Sequence, residues 1–252
     1  MSDWEVIPLS DKRISAEIRS GFACGKKDIE GGAAHLRMNN ITVNGNVDFS
    51  LIRRIPKSIA DKKNLWLQQD DILFCNTNST ALVGKTCLFS GWEEQCTFSN
   101  HLTRIRCNTK YIIPAWLALY LQQLWSNGFF AVNCKEFVCQ SSFINEKVKG
   151  IYVTVPPIDE QGRIVARIEV LTRRVDEARK LAVEREAKLN TLLQALYSRI
   201  IEGADRKHLK EVASLVRRAV KTRPDGSYEE MGIRSFGKGT FQKPVLTGKQ
   251  IG

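Results

Sequence analysis

The chain has 252 residues, 43% hydrophobic and 26% charged, enough for one ordinary core or one core with an extended appendage, which excludes a wholly disordered protein. No run of 18 apolar residues occurs and the opening MSDWEVIPLS has neither a basic nor an apolar signal region, so the expectation is a cytoplasmic protein with no membrane partner. Thirty-eight Lys and Arg against 27 Asp and Glu give a formal charge of +11, which favours a polyanionic partner and puts nucleic acid first.

In chain order, residues 1–156 read as short strands separated by turn residues. The expected strands are 4–9, 35–38, 72–75, 82–89, 102–107 and 151–155, each a short apolar or alternating run bounded by Gly, Asn, Asp or Ser. Asn44-Gly45 is the sharpest turn signal between them. One helix interrupts the strands at 114–125, with Pro114 in its first turn, strong helix formers behind it and Asn127-Gly128 as a stop. The fold class expected is therefore α+β, a mixed globular domain followed by a long helix.

That helix is predicted from about Asp159 to Glu202, a stretch without Pro and with Gly162 as its one glycine. Its apolar residues Ile164, Ile168, Leu171, Val175, Ala178, Ala182, Leu189, Leu192 and Leu196 alternate four and three apart, with Arg185 and Arg199 breaking the repeat. A rod of about 65 Å cannot lay such a seam against a globule of this size alone, so a coiled-coil partner helix is expected. Residues 204–252 turn Gly-rich and basic, with 11 basic against 5 acidic residues, and carry +6 of the total; residues 1–156 carry only +4, 18 against 14. The expected organisation is 1–156 as a globular domain, 157–203 as the long helix and spacer, and 204–252 as a stub too short to complete a domain.

Several motifs resemble catalytic signatures and fail on detail. Gly84-Lys85-Thr86 is similar to the end of a phosphate-binding loop, but the first glycine is missing and a strand rather than a helix is expected to follow, which leaves Lys85 as a strand lysine on a polar surface. Val155-Pro156-Pro157-Ile158 lacks the acidic or amide acceptor of an amino-methyltransferase loop. The order of Pro224-Asp225 after Glu186 and Lys188 does not suit a metal-dependent nuclease, and no GxSxG occurs. Seven cysteines, an odd number, all precede residue 140 and none forms CxxC, so reduced and mostly buried thiols are expected; Cys96, His101 and Cys107 have no zinc-site spacing, and no metal is expected.

From Pro156-Pro157-Ile158-Asp159-Glu160-Gln161-Gly162-Arg163-Ile164 onward the chain resembles a known family. This segment is similar to the PPLxEQxxI junction of type I restriction-modification specificity (S) subunits, where a target-recognition domain hands over to a conserved helix. Trp4-Glu-Val-Ile-Pro-Leu9, His35-Leu-Arg-Met-Asn-Asn-Ile41, Asp70-Asp71-Ile72-Leu73 and Asn76-Thr-Asn-Ser79 agree in order and spacing. Leu209-Lys-Glu-Val212 and Tyr228 to Gly239 are similar to the opening of a second recognition domain, so the chain resembles the N-terminal half of a family member plus a stub. The resemblance implies a non-catalytic, sequence-specific subunit for double-stranded DNA, reading half of a bipartite site. It implies methyltransferase (modification) subunits that bring S-adenosylmethionine, restriction and translocase subunits that bring cleavage, and no cofactor in this chain. Self-association as a homodimer through the long helix would restore the family's pair of antiparallel helices.

Under that reading Arg37, Asn39, Asn40, Asn78 and Ser79 are the candidates for base edges, because Arg suits guanine and Asn suits adenine and these residues fall at strand ends. Lys26, Lys27, Lys85, His101 and Arg104 are assigned to phosphates. Two readings from other classes stand beside it. One is a protein-interaction scaffold that uses the long helix and has an incidental basic surface; the other is an enzyme of unknown type.

Overall fold

The computed structural model describes residues 4–25, 28–138, 140–216, 220–234 and 239–251. It divides into two compact units, Met1–Ala182 and Val183–Gly252. The first opens with β1 (Glu5–Pro8), β2 (Ser15–Ser20), β3 (Ala33–Leu36), β4 (Arg53–Ile55), α1 (Lys57–Lys63), β5 (Ile72–Cys75), β6 (Thr77–Asn78), β7 (Thr86–Leu88), β8 (Cys96–Phe98) and β9 (Leu102–Cys107). It continues with α2 (Pro114–Ser126), α3 (Phe129–Asn133), β10 (Lys135–Glu136), β11 (Ser141–Ser142), α4 (Asn145–Lys149), β12 (Tyr152–Val155) and the start of α5 (Ile158–Glu202).

The antiparallel sheet β2-β9-β5-β7 divides the interior. All four residues of β5 are buried because successive side chains leave a strand on opposite faces and both faces are covered. Ile72 and Phe74 pack into one apolar cluster with Leu117, Ala118 and Leu121 of α2, while Leu73 and Cys75 pack into a second with Leu36 of β3 and Phe98 of β8. The second cluster lies beneath a three-stranded sheet, β4-β3-β8. Strands β1 and β12 pair antiparallel, so the two ends of the globular domain meet.

Strands at 72–75 and 102–107 and the helix beginning at Pro114 match expectation. The 82–89 strand starts only at Thr86, because residues 79–84 form a tight turn in which the Leu82 and Val83 amides donate to the Ser79 carbonyl. Gly84 there has φ +88°, and a Cβ on it would lie 2.2 Å from the Phe130 ring, so only glycine fits. The 35–38 strand is displaced to Ala33–Leu36 by a 3₁₀ turn over Met38–Asn40. Strands β2, β4 and β8 and helix α1 were not expected; the three strands are short or rich in polar residues and owe their form to pairing rather than to local pattern.

The long helix is continuous from Ile158 to Glu202, one residue earlier than expected. Gln161 fastens its start. It is fully buried: its Nε2 donates to the Pro156 and Tyr111 carbonyls at 2.8 and 3.1 Å, and its Oε1 accepts from the Ile113 amide at 2.8 Å, immediately before α2. Along α5, only Gln161 and Val165 are buried. Ile164 and Ile168 are half-buried against α2, whereas Leu171, Val175, Leu189, Leu192 and Leu196 are 45–56% exposed. The seam expected over the whole helix is thus an exposed apolar stripe from Leu171 onward, and its first two positions are partly covered by the chain's own domain.

The second unit, by itself, holds the C-terminal part of α5, the short helices α6 (Leu209–Val212) and α7 (Gly248–Ile251), and two two-stranded ribbons. These pair β13 (Ser227–Tyr228) with β16 (Leu246–Thr247) and β14 (Met231–Ile233) with β15 (Thr240–Gln242).

Candidate nucleic-acid interface

The β4-β3-β8 sheet places three side chains in a row. His35 lies opposite Arg53 in the antiparallel pair and beside Thr97 in the parallel pair. Registered neighbours on adjacent strands share a face, and Arg37, two residues on in extended backbone, emerges on that face too. Alternation sends Arg54 to the other side, where Glu94 binds it through both carboxylate oxygens. Arg53 stays on the His35 face and reaches across to donate to the Gly25 carbonyl at 3.1 Å.

His35 is wholly buried, with the Phe22 ring centroid 5.0 Å from its own. The Thr97 hydroxyl donates its single proton to the Ala34 carbonyl at 3.1 Å, so at the 2.8 Å contact between Thr97 Oγ1 and His35 Nδ1 the imidazole is the donor. Nε2 is then left with a lone pair and, among the described residues, no partner. Burial, and after it the charges of Arg37 and Arg53, lower the His35 pKa to about 4, so the ring is neutral at pH 7. Arg37 Nε is likewise buried without a partner. A buried polar group left unpaired costs ~1–3 kcal/mol.

These residues line a cleft of about 420 Å³ together with Asn39, Asn100, His101 and the loop through Cys24 and Gly25. Two arginines and no carboxylate occur among its described lining residues. A larger groove of about 660 Å³ runs beside the Asn44-Gly45 turn, α2 and α5, but Glu169 and Asp176 line it. A phosphodiester backbone repels carboxylates, so the charge balance selects the smaller cleft as the place for nucleic acid.

Three of the expected DNA-contacting residues, Arg37, Asn39 and His101, converge on this cleft. Lys26 and Lys27 lie outside the described residues, next in sequence to Gly25 on its rim. Three others are corrected by their surroundings. Asn40 is buried and braces the 3₁₀ turn, its amide donating to the Asp48 and Leu51 carbonyls and its oxygen accepting from the Arg37 amide. Lys85 is only 6% exposed and donates to the Ile41 carbonyl at 2.6 Å, which overturns the surface reading of that lysine. Arg104, 4% exposed, binds Glu17 and the Trp66 carbonyl within the sheet. Asn78 and Ser79 sit elsewhere, in and just after β6, with Asn78 half-buried and Ser79 exposed.

Arg53, Asn100 and the acceptor atom of His35 were missed. Their joint position depends on the registers of β4 and β8, for which the local sequence holds no periodic signal. No group of three His, Cys, Asp or Glu suited to a metal occurs among the described residues. Burial raises the thiols of Cys87, Cys96 and Cys107 to about 12, which fits unreactive core cysteines.

The family model of the type I restriction modification DNA specificity domain matches residues 1–185, and the chain belongs to that family. The EcoKI specificity subunit of Escherichia coli K12 is 28% identical over 200 residues, which make up 77% of this chain and 42% of that protein. The putative type I restriction enzyme MjaX specificity subunit of Methanocaldococcus jannaschii is 28% identical over 165 residues, 64% of this chain and 38% of that one. The matched stretches amount to less than half of either relative. In fold, the chain is similar to the HsdS subunit from Thermoanaerobacter tengcongensis, with a TM-score of 0.56 at 19% identity over 82% of this chain and 52% of that one.

Proposed function

We propose that this chain is a sequence-specific DNA-recognition subunit of a type I restriction-modification system, without catalysis of its own, which reads one half of a bipartite duplex site. The family match over residues 1–185 carries the reading, and the cleft, with no carboxylate among its described lining residues, supports it with a place for the duplex. Arg37, Asn39, Arg53, Asn100 and His101, with Lys26 and Lys27, form the contact set, and Asn78 and Ser79 form a second contact point. Methyltransferase subunits carrying S-adenosylmethionine and restriction and translocase subunits are the partners, and the exposed stripe of α5 pairs with the α5 of a second copy.

Duplex affinity measured across a salt series tests this. Binding should weaken steeply as salt rises, and Arg53→Gln should lower the slope of log affinity against log salt by about 1. A chain that ignores duplex DNA, or binds it without salt dependence, contradicts the reading and favours the helix-centred scaffold.

A further inference from the structure

Two buried atoms without partners among the described residues lie on His35 of β3 and on Arg37 just after that strand, both of which line the same cleft: His35 Nε2, an acceptor, and Arg37 Nε–H, a donor. Nearly all buried polar groups in folded proteins are paired, so two such exceptions on one wall mark a position where an incoming molecule supplies the missing partners. The donor and acceptor roles are not interchangeable here. Thr97 has spent its proton on the Ala34 carbonyl and holds the histidine in the tautomer whose Nε2 accepts, while a guanidinium N–H only donates.

The wall therefore presents one acceptor, on His35, and one donor, on Arg37. Among single bases in the major groove, adenine alone offers the complement, an N6 amino donor next to the N7 acceptor; guanine shows two acceptors, cytosine a lone amino donor, and thymine an acceptor with a methyl group. We propose that His35 and Arg37 together read one adenine of the recognised duplex, His35 Nε2 accepting from the N6 amino group and Arg37 donating to N7. The inference rests on the DNA-reading function proposed above and assigns that function a base. Both residues line the cleft, and a rotamer change of the Arg37 side chain that keeps its guanidinium at the cleft would bring the base edge to them. Among the described residues, the one hydrogen bond its guanidinium makes runs from Nη2 to the Leu51 carbonyl at 3.3 Å, at the long end of the range, so little restrains it.

Selection of the purified full chain against random duplexes supplies the recognised site. Each adenine in that site is then replaced in turn by 2-aminopurine, which moves the amino group away from C6, and by 7-deazaadenine, which lacks N7. At one adenine the wild-type chain should lose about tenfold in affinity or more with either analogue. His35→Phe, which keeps a ring against Phe22, should become indifferent to 2-aminopurine at that adenine while still responding to 7-deazaadenine; Arg37→Leu should show the reverse. Thermal melts establish that each variant folds, and if His35→Phe does not, the Arg37→Leu arm decides alone. Absence of any adenine sensitive to both analogues, or equal losses in variant and wild type, overturns the inference. A wild-type chain that enriches no sequence overturns the DNA-reading function instead, so the two failures are distinct.

Discussion

His35 carries a consequence beyond recognition. Its pKa is depressed from 6.5 to about 4 by burial and by Arg37 and Arg53, so between these values the unfolded chain binds the proton and the folded chain does not. Folding stability is then fully present above pH 6.5 and falls as pH drops toward 4, by up to roughly 3 kcal/mol. Urea unfolding at a series of pH values should show that slope in wild type and a shallower one in His35→Phe; equal slopes would place the acid sensitivity elsewhere. Gly84 gives a second residue-scale expectation. Alanine there combines a φ of +88° with a Cβ driven into Phe130, and should cost about 2–4 kcal/mol in the same assay. The sequence reading set aside a phosphate-binding loop at Gly84-Lys85 and kept Lys85 as a surface contact for DNA phosphates, whereas in three dimensions the glycine makes room for an aromatic ring and the lysine holds the Ile41 carbonyl.

Among the elements, α5 was the most legible, because a long alternation of apolar residues without proline has no competing explanation. The joint that fixes it was legible only as a motif. Gln161 saturates three backbone groups, and its replacement by Leu strands the Ile113 amide and the Tyr111 and Pro156 carbonyls. Gln161→Leu should therefore destabilise the domain by about 2–4 kcal/mol, read as a lowered denaturation midpoint with little change in m. The exposed stripe sets a separate expectation. Leu192→Asp should leave the far-ultraviolet spectrum of the chain unchanged and shift sedimentation equilibrium from dimer to monomer; a wild-type chain that is already monomeric at micromolar concentration would remove the paired-helix proposal. Four residues inserted into the exposed stretch of α5 add about 6 Å of rise, and the tolerated DNA spacer should lengthen by about two base pairs. The short strands β4 and β8 were not legible at all. Their three-residue sequences are too short to show a period and become strands because β3 offers an edge on each side, and that pairing brings Arg53 and Thr97 beside His35.

At the scale of the whole molecule, net charge points to a polyanionic partner but does not say where on the chain the charge lies. Most of the +11 lies outside residues 1–156, where basic residues outnumber acidic ones by only 18 to 14. Partly buried ion pairs then engage several of the domain's cations: Arg104 is held by Glu17, Arg106 by Asp71 and Arg54 by Glu94. What remains for a polyanion is local, a cleft with Arg37 and Arg53 unopposed by any carboxylate among its described lining residues. The pairing proposed for the exposed apolar stripe of α5 leads to one architectural expectation, two copies paired through α5, each reading the same half-site. The direct measurement is a map of methylated adenines in DNA treated with a type I modification methyltransferase, S-adenosylmethionine and this chain. Methylation should depend on the chain and fall within a split palindrome of two identical half-sites at fixed spacing. Methylation that is the same without the chain, or that falls in two unrelated half-sites, would contradict it.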